Sequence, residues 1–181
     1  MKLATGMKMP DFTFDSIYRD KVDYLESKKG KTGVLMFLRY FGCRICQLDI
    51  REFNLLYDEF VKLGADVKIV LQSTREIMLE AEEKEGKFKT EFVLDPTQAL
   101  YKRFELAVAK DKDELRGQGQ VEKKSAEAQA LGMVHGAYEG EELQLPAAFI
   151  IDKDDNIVYA RYAAHGADIP RAAEVLEILK K

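Results

Sequence analysis

The chain has 181 residues, 46% hydrophobic and 33% charged, which suffices for one full core and leaves no room for a second domain of ordinary size. Its 28 basic and 32 acidic residues are interspersed and give a formal net charge of −4, so no basic stripe suggests a nucleic-acid partner. No stretch approaches the length of a membrane span and Met1 to Pro10 has no apolar signal core, so the expectation is a cytoplasmic protein without a membrane partner.

In chain order, Phe12–Phe14 and Val22–Leu25 read as a short antiparallel lead-in before the turn at Lys28–Lys31. Gly33 to Phe41 is a nearly continuous apolar run, as a buried parallel strand requires, and Gly42 breaks it. From Cys43 onward, Ile45, Leu48, Phe53, Leu56, Phe60 and Leu63 recur at roughly helical spacing and predict a helix that Gly64 stops. Val67–Gln72 is a second strand, and Ser73 to Glu76 is a capping-box sequence opening a charged helix to about Glu85. Strand, helix, strand in this order implies a parallel pair with a right-handed crossover.

Glu91–Leu94 follows as a strand, Asp95-Pro96 as punctuation, and Thr97 to Glu105 as a helix turning Leu100, Tyr101 and Phe104 inward. Lys110 to Glu142 differs in character. It is rich in charge, Gly and Gln, carries one helical stretch across Glu122 to Leu131, and reads as an insertion folded on the surface. Ala147–Ile151 and Ile157–Tyr162 around a polar turn predict an antiparallel hairpin, and a last helix is expected from an N-cap at Asp168 through Leu179.

Cys43 and Cys46 are the only cysteines, three apart, where the strand-like run meets the helix-like run. Both fall in the first helical turn, where unpaired backbone N–H groups favour thiolate over thiol. At this spacing one sulfur can resolve a mixed disulfide or sulfenic acid formed on the other. A zinc site would need further ligands, but no second C-x-x-C or H-x-x-x-H follows, and His135 and His165 are far apart in sequence. No metal or organic cofactor is expected. Arg39 at the end of the strand and Arg44 beside the cysteines are the candidate positive charges, and Tyr40 and Phe41 are candidate apolar walls of the site. A solvated first-turn side chain is the plainer reading of Arg44, and a solvated loop residue that of His165.

These features resemble the thioredoxin-like fold, with its βαβ half, C-x-x-C at the first helix, later hairpin and closing helix. That resemblance implies a three-layer α/β sandwich, a mixed central sheet flanked by helices, over a single domain 1–181 with the insertion at 110–142 before the final hairpin. It also implies a cis-proline opposite the cysteines, and Pro146 stands at that place, where its backbone would accept a strand-like contact from a substrate disulfide. Within the fold, Gly6–Phe14, Phe92–Pro96 with Leu100–Phe104, and Glu142–Leu145 with Phe149–Asp152 are similar to the alkyl hydroperoxide reductase/thiol-specific antioxidant, peroxiredoxin-like group. The likeness is strongest to its C-x-x-C subgroup, which includes prostamide/prostaglandin F synthase-like proteins. Matched residue by residue, Cys46 takes the peroxidatic position and Cys43 that of the usual Thr or Ser, while the upstream proline and the arginine beside the hairpin strand are missing.

Three functions follow from these residues. The first is a thiol-disulfide oxidoreductase in which Cys43, the more exposed sulfur, attacks a substrate disulfide and Cys46 resolves it. The second is a peroxiredoxin-like hydroperoxide reductase, antioxidant in effect, with Cys46 peroxidatic and Cys43 resolving, regenerated by a thioredoxin-type or low-molecular-weight thiol donor. The third is a non-enzymatic redox sensor that signals through the 110–142 insertion.

Overall fold

The computed structural model describes all residues, 1–181. A two-residue antiparallel ladder, β1 (Thr13–Phe14) with β2 (Val22–Asp23), leads in as expected, but the chain turns at once into helix α1 (Tyr24–Lys28), so Leu25 is helical rather than extended. The reason is local: the Asp23 side chain accepts from the Glu26 N–H and starts a helix there.

The central sheet is built from β3 (Thr32–Phe37), β4 (Ala65–Leu71), β5 (Glu91–Leu94), β6 (Ala147–Ile151) and β7 (Ile157–Tyr162), in the order β5-β4-β3-β6-β7. β3, β4 and β5 run parallel, and β6 runs antiparallel to both its neighbours, β3 and β7, so the sheet is mixed. On β3, Val34 and Met36 enter one buried cluster and Leu35 and Phe37 the other. The same alternation holds on β6, with Ala148 and Ile150 against Ala147, Phe149 and Ile151. Both faces are therefore covered, which is why these strands read as continuous apolar runs.

On the first face lie α2 (Arg44–Leu55), α3 (Tyr57–Lys62), α4 (Arg75–Glu85) and α8 (Ala172–Leu179), and on the other α1, α5 (Ala99–Arg103) and the N-terminal segment. The single helix expected from Cys43 to Leu63 is two. It breaks at Leu56, whose φ of −96° and ψ of 6° leave the helical region, and Phe53 stacks on Phe60 across the break with centroids 5.4 Å apart. Gly64 ends α3 with φ +69° as expected. The N-cap of α4 is Thr74, accepting from the Ile77 N–H, while Ser73 turns elsewhere. Asp168 does not cap α8. It is drawn into an ion pair with Arg161, and the Glu174 carboxylate accepts instead from the Arg171 N–H at 2.7 Å.

The 110–142 segment is no loose surface addition. It holds two helices, α6 (Lys112–Arg116) and α7 (Gln120–Ala130), and α7 lies on α2. Lys124 of α7 and Asp49 of α2 form a buried ion pair with contacts of 2.6 and 2.7 Å. Arg171 bridges Glu52 of α2 and Glu127 of α7 at their edge. No helix is long and apolar enough to cross a membrane.

Candidate active site

Cys43 is the N-cap of α2, with extended backbone at φ −68° and ψ 118°. Its sulfur accepts from the Cys46 N–H at 3.4 Å, taking the place a capping oxygen usually holds. Cys46 sits one turn on, and its thiol donates to the Cys43 sulfur at 2.6 Å, with no disulfide formed. Both are enclosed, Cys43 at 0% and Cys46 at 3% exposure, which corrects the expectation that Cys43 is the open one.

Arg39 leaves the end of β3 and lays one guanidinium nitrogen 3.1 Å from the Cys43 sulfur. Burial pushes the Cys43 thiol up, but the Cys46 thiol bond, the Arg39 charge and hydrogen bond and the Cys46 N–H outweigh it and bring it down to about 6. Cys46 goes the other way, raised by burial, by its bond to Cys43 and by the Cys43 charge. Burial also opposes the Arg39 charge, and the two cysteine sulfurs more than offset that, so the guanidinium stays ionised. The pair is polarised into one ready anion and one held thiol.

Tyr40 is fully buried beside this pair, with the Arg39 guanidinium 5.3 Å from its ring centroid. Its hydroxyl faces His135 Nε2 at 3.4 Å, because Nδ1 is spent on the Gly136 carbonyl at 2.8 Å. Arg44 is half-buried and reaches Ser125 on α7 at 3.3 Å rather than a sulfur. His165 is a packing residue lying over Gly117, where a Cβ would come within 2.3 Å of its ring.

Pro146 enters β6 beside the end of β3, since Ala147 pairs with Phe37. The expected cis bond is absent: every peptide bond is trans. Nor is the backbone here free to take up a substrate strand. Pro146 O accepts from the Ala163 N–H at 3.1 Å, Leu145 N–H donates to Ala107 O at 3.0 Å, and Leu145 O accepts from the Gln144 side chain at 3.1 Å.

The sequence marked 110–142 as a Gly-rich insertion, but not its 132–142 stretch as a strap that closes the site. Gly136 N–H donates to Gly42 O at 2.8 Å, and the Gln47 amide reaches both Gly42 O at 3.2 Å and Val134 O at 2.9 Å. Gly42 is required by this approach, since a Cβ there would stand 2.1 Å from Ala137 O. Further along, the Glu139 carboxylate accepts from Ser73 Oγ at 2.6 Å and from the Thr74 N–H at 2.8 Å. Glu141 N–H donates to Gln72 at 2.7 Å, and the second arm of Arg39 donates to Glu142 O. Only Gly42 marked this contact in the sequence, and in one dimension it reads as the break after a strand. No group of three or more His, Cys, Asp and Glu residues is placed to hold a metal ion.

Comparison with known proteins fits this geometry. The family model described as the AhpC/TSA family matches residues 5–160. Among solved structures, Mycobacterium bovis AhpC is similar at a TM-score of 0.70 and 16% identity, over 99% of this chain and 92% of that one. The reduced 2-Cys peroxiredoxin of Plasmodium vivax gives 0.68 and 15%, over 97% and 80%. The thiol peroxidase from Chromobacterium violaceum gives 0.66 and 13%, over 99% and 88%. No curated protein sequence matched. With a matching fold and a polarised cysteine pair at the tip of α2, the chain belongs to the AhpC/TSA family and is a thiol-dependent oxidoreductase of thioredoxin-like fold.

Proposed function

We propose that the protein reduces hydroperoxides, with Cys43 as the attacking thiolate and Cys46 as the resolving thiol. The observation that carries this reading is the Arg39 contact to the Cys43 sulfur, made inside a site closed to solvent. Reaching such a site asks less movement of the strap from a small hydroperoxide than from a protein disulfide, and the backbone at Leu145 and Pro146 is already hydrogen-bonded internally. The family alignment favours Cys46 as nucleophile, but the chemistry favours Cys43, because burial and the neighbouring charge keep Cys46 protonated.

In the first step the Cys43 thiolate attacks the terminal oxygen of the hydroperoxide. The O–O bond breaks, Cys43 becomes a sulfenic acid, and the departing alkoxide takes a proton and leaves as alcohol. Losing the negative charge on Cys43 removes one of the causes that hold Cys46 protonated. Cys46 then gives up its proton and attacks the sulfenic sulfur; hydroxide leaves as water and the disulfide forms. An external thiol, of thioredoxin type or of low molecular weight, supplies the two electrons that restore the dithiol, and a reducing cytoplasm is the setting that suits it.

A second reading, exchange with a small disulfide, is favoured by the N-cap position of Cys43, which suits it to attack sulfur as well as oxygen. Turnover driven by a thioredoxin system separates the two. The expected result is sustained consumption of hydrogen peroxide and tert-butyl hydroperoxide, with insulin and glutathione disulfide reduced no faster than background. Rapid disulfide reduction, with a peroxide rate no better than that of a free thiolate, would replace the first reading by the second.

A further inference from the structure

The peroxide step leaves an alkoxide that must take a proton inside a site closed to solvent. Few groups there can give one. Arg39 keeps its protons at any working pH, and the Cys46 proton is spent on the Cys43 sulfur. The Tyr101 hydroxyl is committed to the Leu38 and Val70 carbonyls at 2.6 and 3.1 Å, and its ring belongs to the cluster on the other face of the sheet. Tyr40 remains: it is 0% exposed and lies in the same buried cluster as both cysteines.

Two contacts bring Tyr40 to the reacting sulfur. The Cys43 N–H donates to Tyr40 O at 3.2 Å, so residues 40–43 form one turn with these two residues at its ends. The Arg39 guanidinium faces both, with one nitrogen 3.1 Å from the Cys43 sulfur and its carbon 5.3 Å from the Tyr40 ring centroid. Arg39 Nε is buried on this guanidinium without a hydrogen-bond partner, a donor to receive a developing oxyanion.

The Tyr40 hydroxyl has one partner, His135 Nε2 at 3.4 Å. Because the Gly136 carbonyl can only accept, His135 Nδ1 carries the ring hydrogen 2.8 Å from it, and the Nε2 lone pair is turned to Tyr40. His135 is half-buried on the strap beside the exposed Tyr138, ring centroids 4.3 Å apart, so its ring joins the enclosed hydroxyl to the solvent side. Burial keeps the Tyr40 proton on well beyond the ordinary phenol range, and the two cysteine charges assist it against that of Arg39. Tyr40 therefore stands in the site as an acid and not as a base.

We propose that Tyr40 gives its hydroxyl proton to the departing oxygen, and that His135 is a positioning residue that holds this hydroxyl and returns its proton from solvent. The step rests on the hydroperoxide reading. The Cys43 thiolate bonds to the terminal oxygen, the O–O bond breaks, and the second oxygen takes the Tyr40 proton. The products are the Cys43 sulfenic acid, an alcohol and the Tyr40 phenolate, which a solvent proton passed through His135 Nε2 restores to the phenol.

The test turns on what leaves. Hydrogen peroxide and tert-butyl hydroperoxide expel hydroxide and alkoxide, which need a proton, whereas peroxyacetic acid expels acetate and iodoacetamide expels iodide, which do not. In stopped-flow reaction with the reduced protein, Tyr40→Phe is expected to slow the first two about a hundredfold and to leave the last two within about twofold, with the pH midpoint of alkylation unchanged. His135→Ala is expected to slow turnover of hydrogen peroxide about tenfold and to recover in added imidazole. A Tyr40→Phe protein that loses speed equally with all four reagents, or loses none with hydrogen peroxide, overturns the proposal. A His135→Ala loss that imidazole does not restore overturns the part given to His135. In these outcomes the wild-type protein is fast and only the acid is wrong; a wild-type protein no faster with hydrogen peroxide than a free thiolate overturns the hydroperoxide reading, and this step falls with it.

Discussion

The β3–α2–β4 unit and the 132–142 strap enclose the same two sulfurs by opposite means. The first places them through backbone and apolar contact: β3 delivers Arg39, Gly42 turns the chain, and α2 presents Cys43 at its tip over a core of Val34, Met36, Ile50 and Phe53. The strap closes over them through polar contacts from Gln47, Ser73, Thr74, Gln72 and Arg39, with the His135 and Tyr138 rings set against Tyr40. Apolar contact fixes where the thiolate is, and hydrogen bonds that can be exchanged for water at small net cost decide when it is reached. Arg39 belongs to both regions, touching the Cys43 sulfur with one arm and Glu142 O with the other.

The largest expected effect comes from the ion pair that docks α7, the helix leading into the strap, on α2. Lys124→Met leaves Asp49 buried without its partner and is expected to cost about 3–5 kcal/mol in urea denaturation, whereas Lys124→Met with Asp49→Leu should recover most of it.

Next comes the shared residue. The Cys43 thiolate is present above about pH 6, so the reaction rate should rise through that pH and level off beyond it. Arg39→Gln removes a cause of the lowering, moves the midpoint up toward the ordinary thiol range and should cut the rate at pH 7 by about tenfold or more. A pH profile of alkylation by iodoacetamide reads both numbers.

Gly42→Ala attacks the seam itself. Its Cβ would meet backbone at Ala137, so the strap must move, and alkylation of Cys43 should speed up severalfold at an unchanged pH midpoint. The smallest effect is expected from Glu139→Gln, which weakens the bonds to Ser73 and Thr74 by about 1 kcal/mol and should quicken amide exchange across 132–142 while leaving β3 and β4 protected.

The difference between the regions also explains what the sequence revealed. The continuous apolar runs of the strands, the helical run after Cys43 and the Cys43–Cys46 pair are signals carried by neighbouring residues, and they were legible together with Arg39 as the charge at the strand end. What escaped were choices between competing partners far apart in the chain. Lys124 in a charge-rich stretch looks solvated until α7 lies on Asp49, 75 residues away. Ser73 looks like a helix cap until Glu139 claims it, and Asp168 likewise until Arg161 does. Arg44 read as a candidate charge for the thiols or, more plainly, as a solvated first-turn side chain; Ser125, 81 residues away, is the partner neither reading supplied. The bonding around Pro146 was hidden for the same reason, since its partners are Ala107, Gln144 and Ala163.

The central claim is that Cys43, not Cys46, carries the reactive charge. Stopped-flow reaction of the reduced protein with hydrogen peroxide, in Cys43→Ser and in Cys46→Ser across pH 5 to 9, tests it most directly. The account predicts that Cys46→Ser still reacts once, stopping at a trappable sulfenic acid and following a lowered thiol midpoint, while Cys43→Ser is inert. A reactive Cys43→Ser beside an inert Cys46→Ser would contradict it and return the attacking role to Cys46.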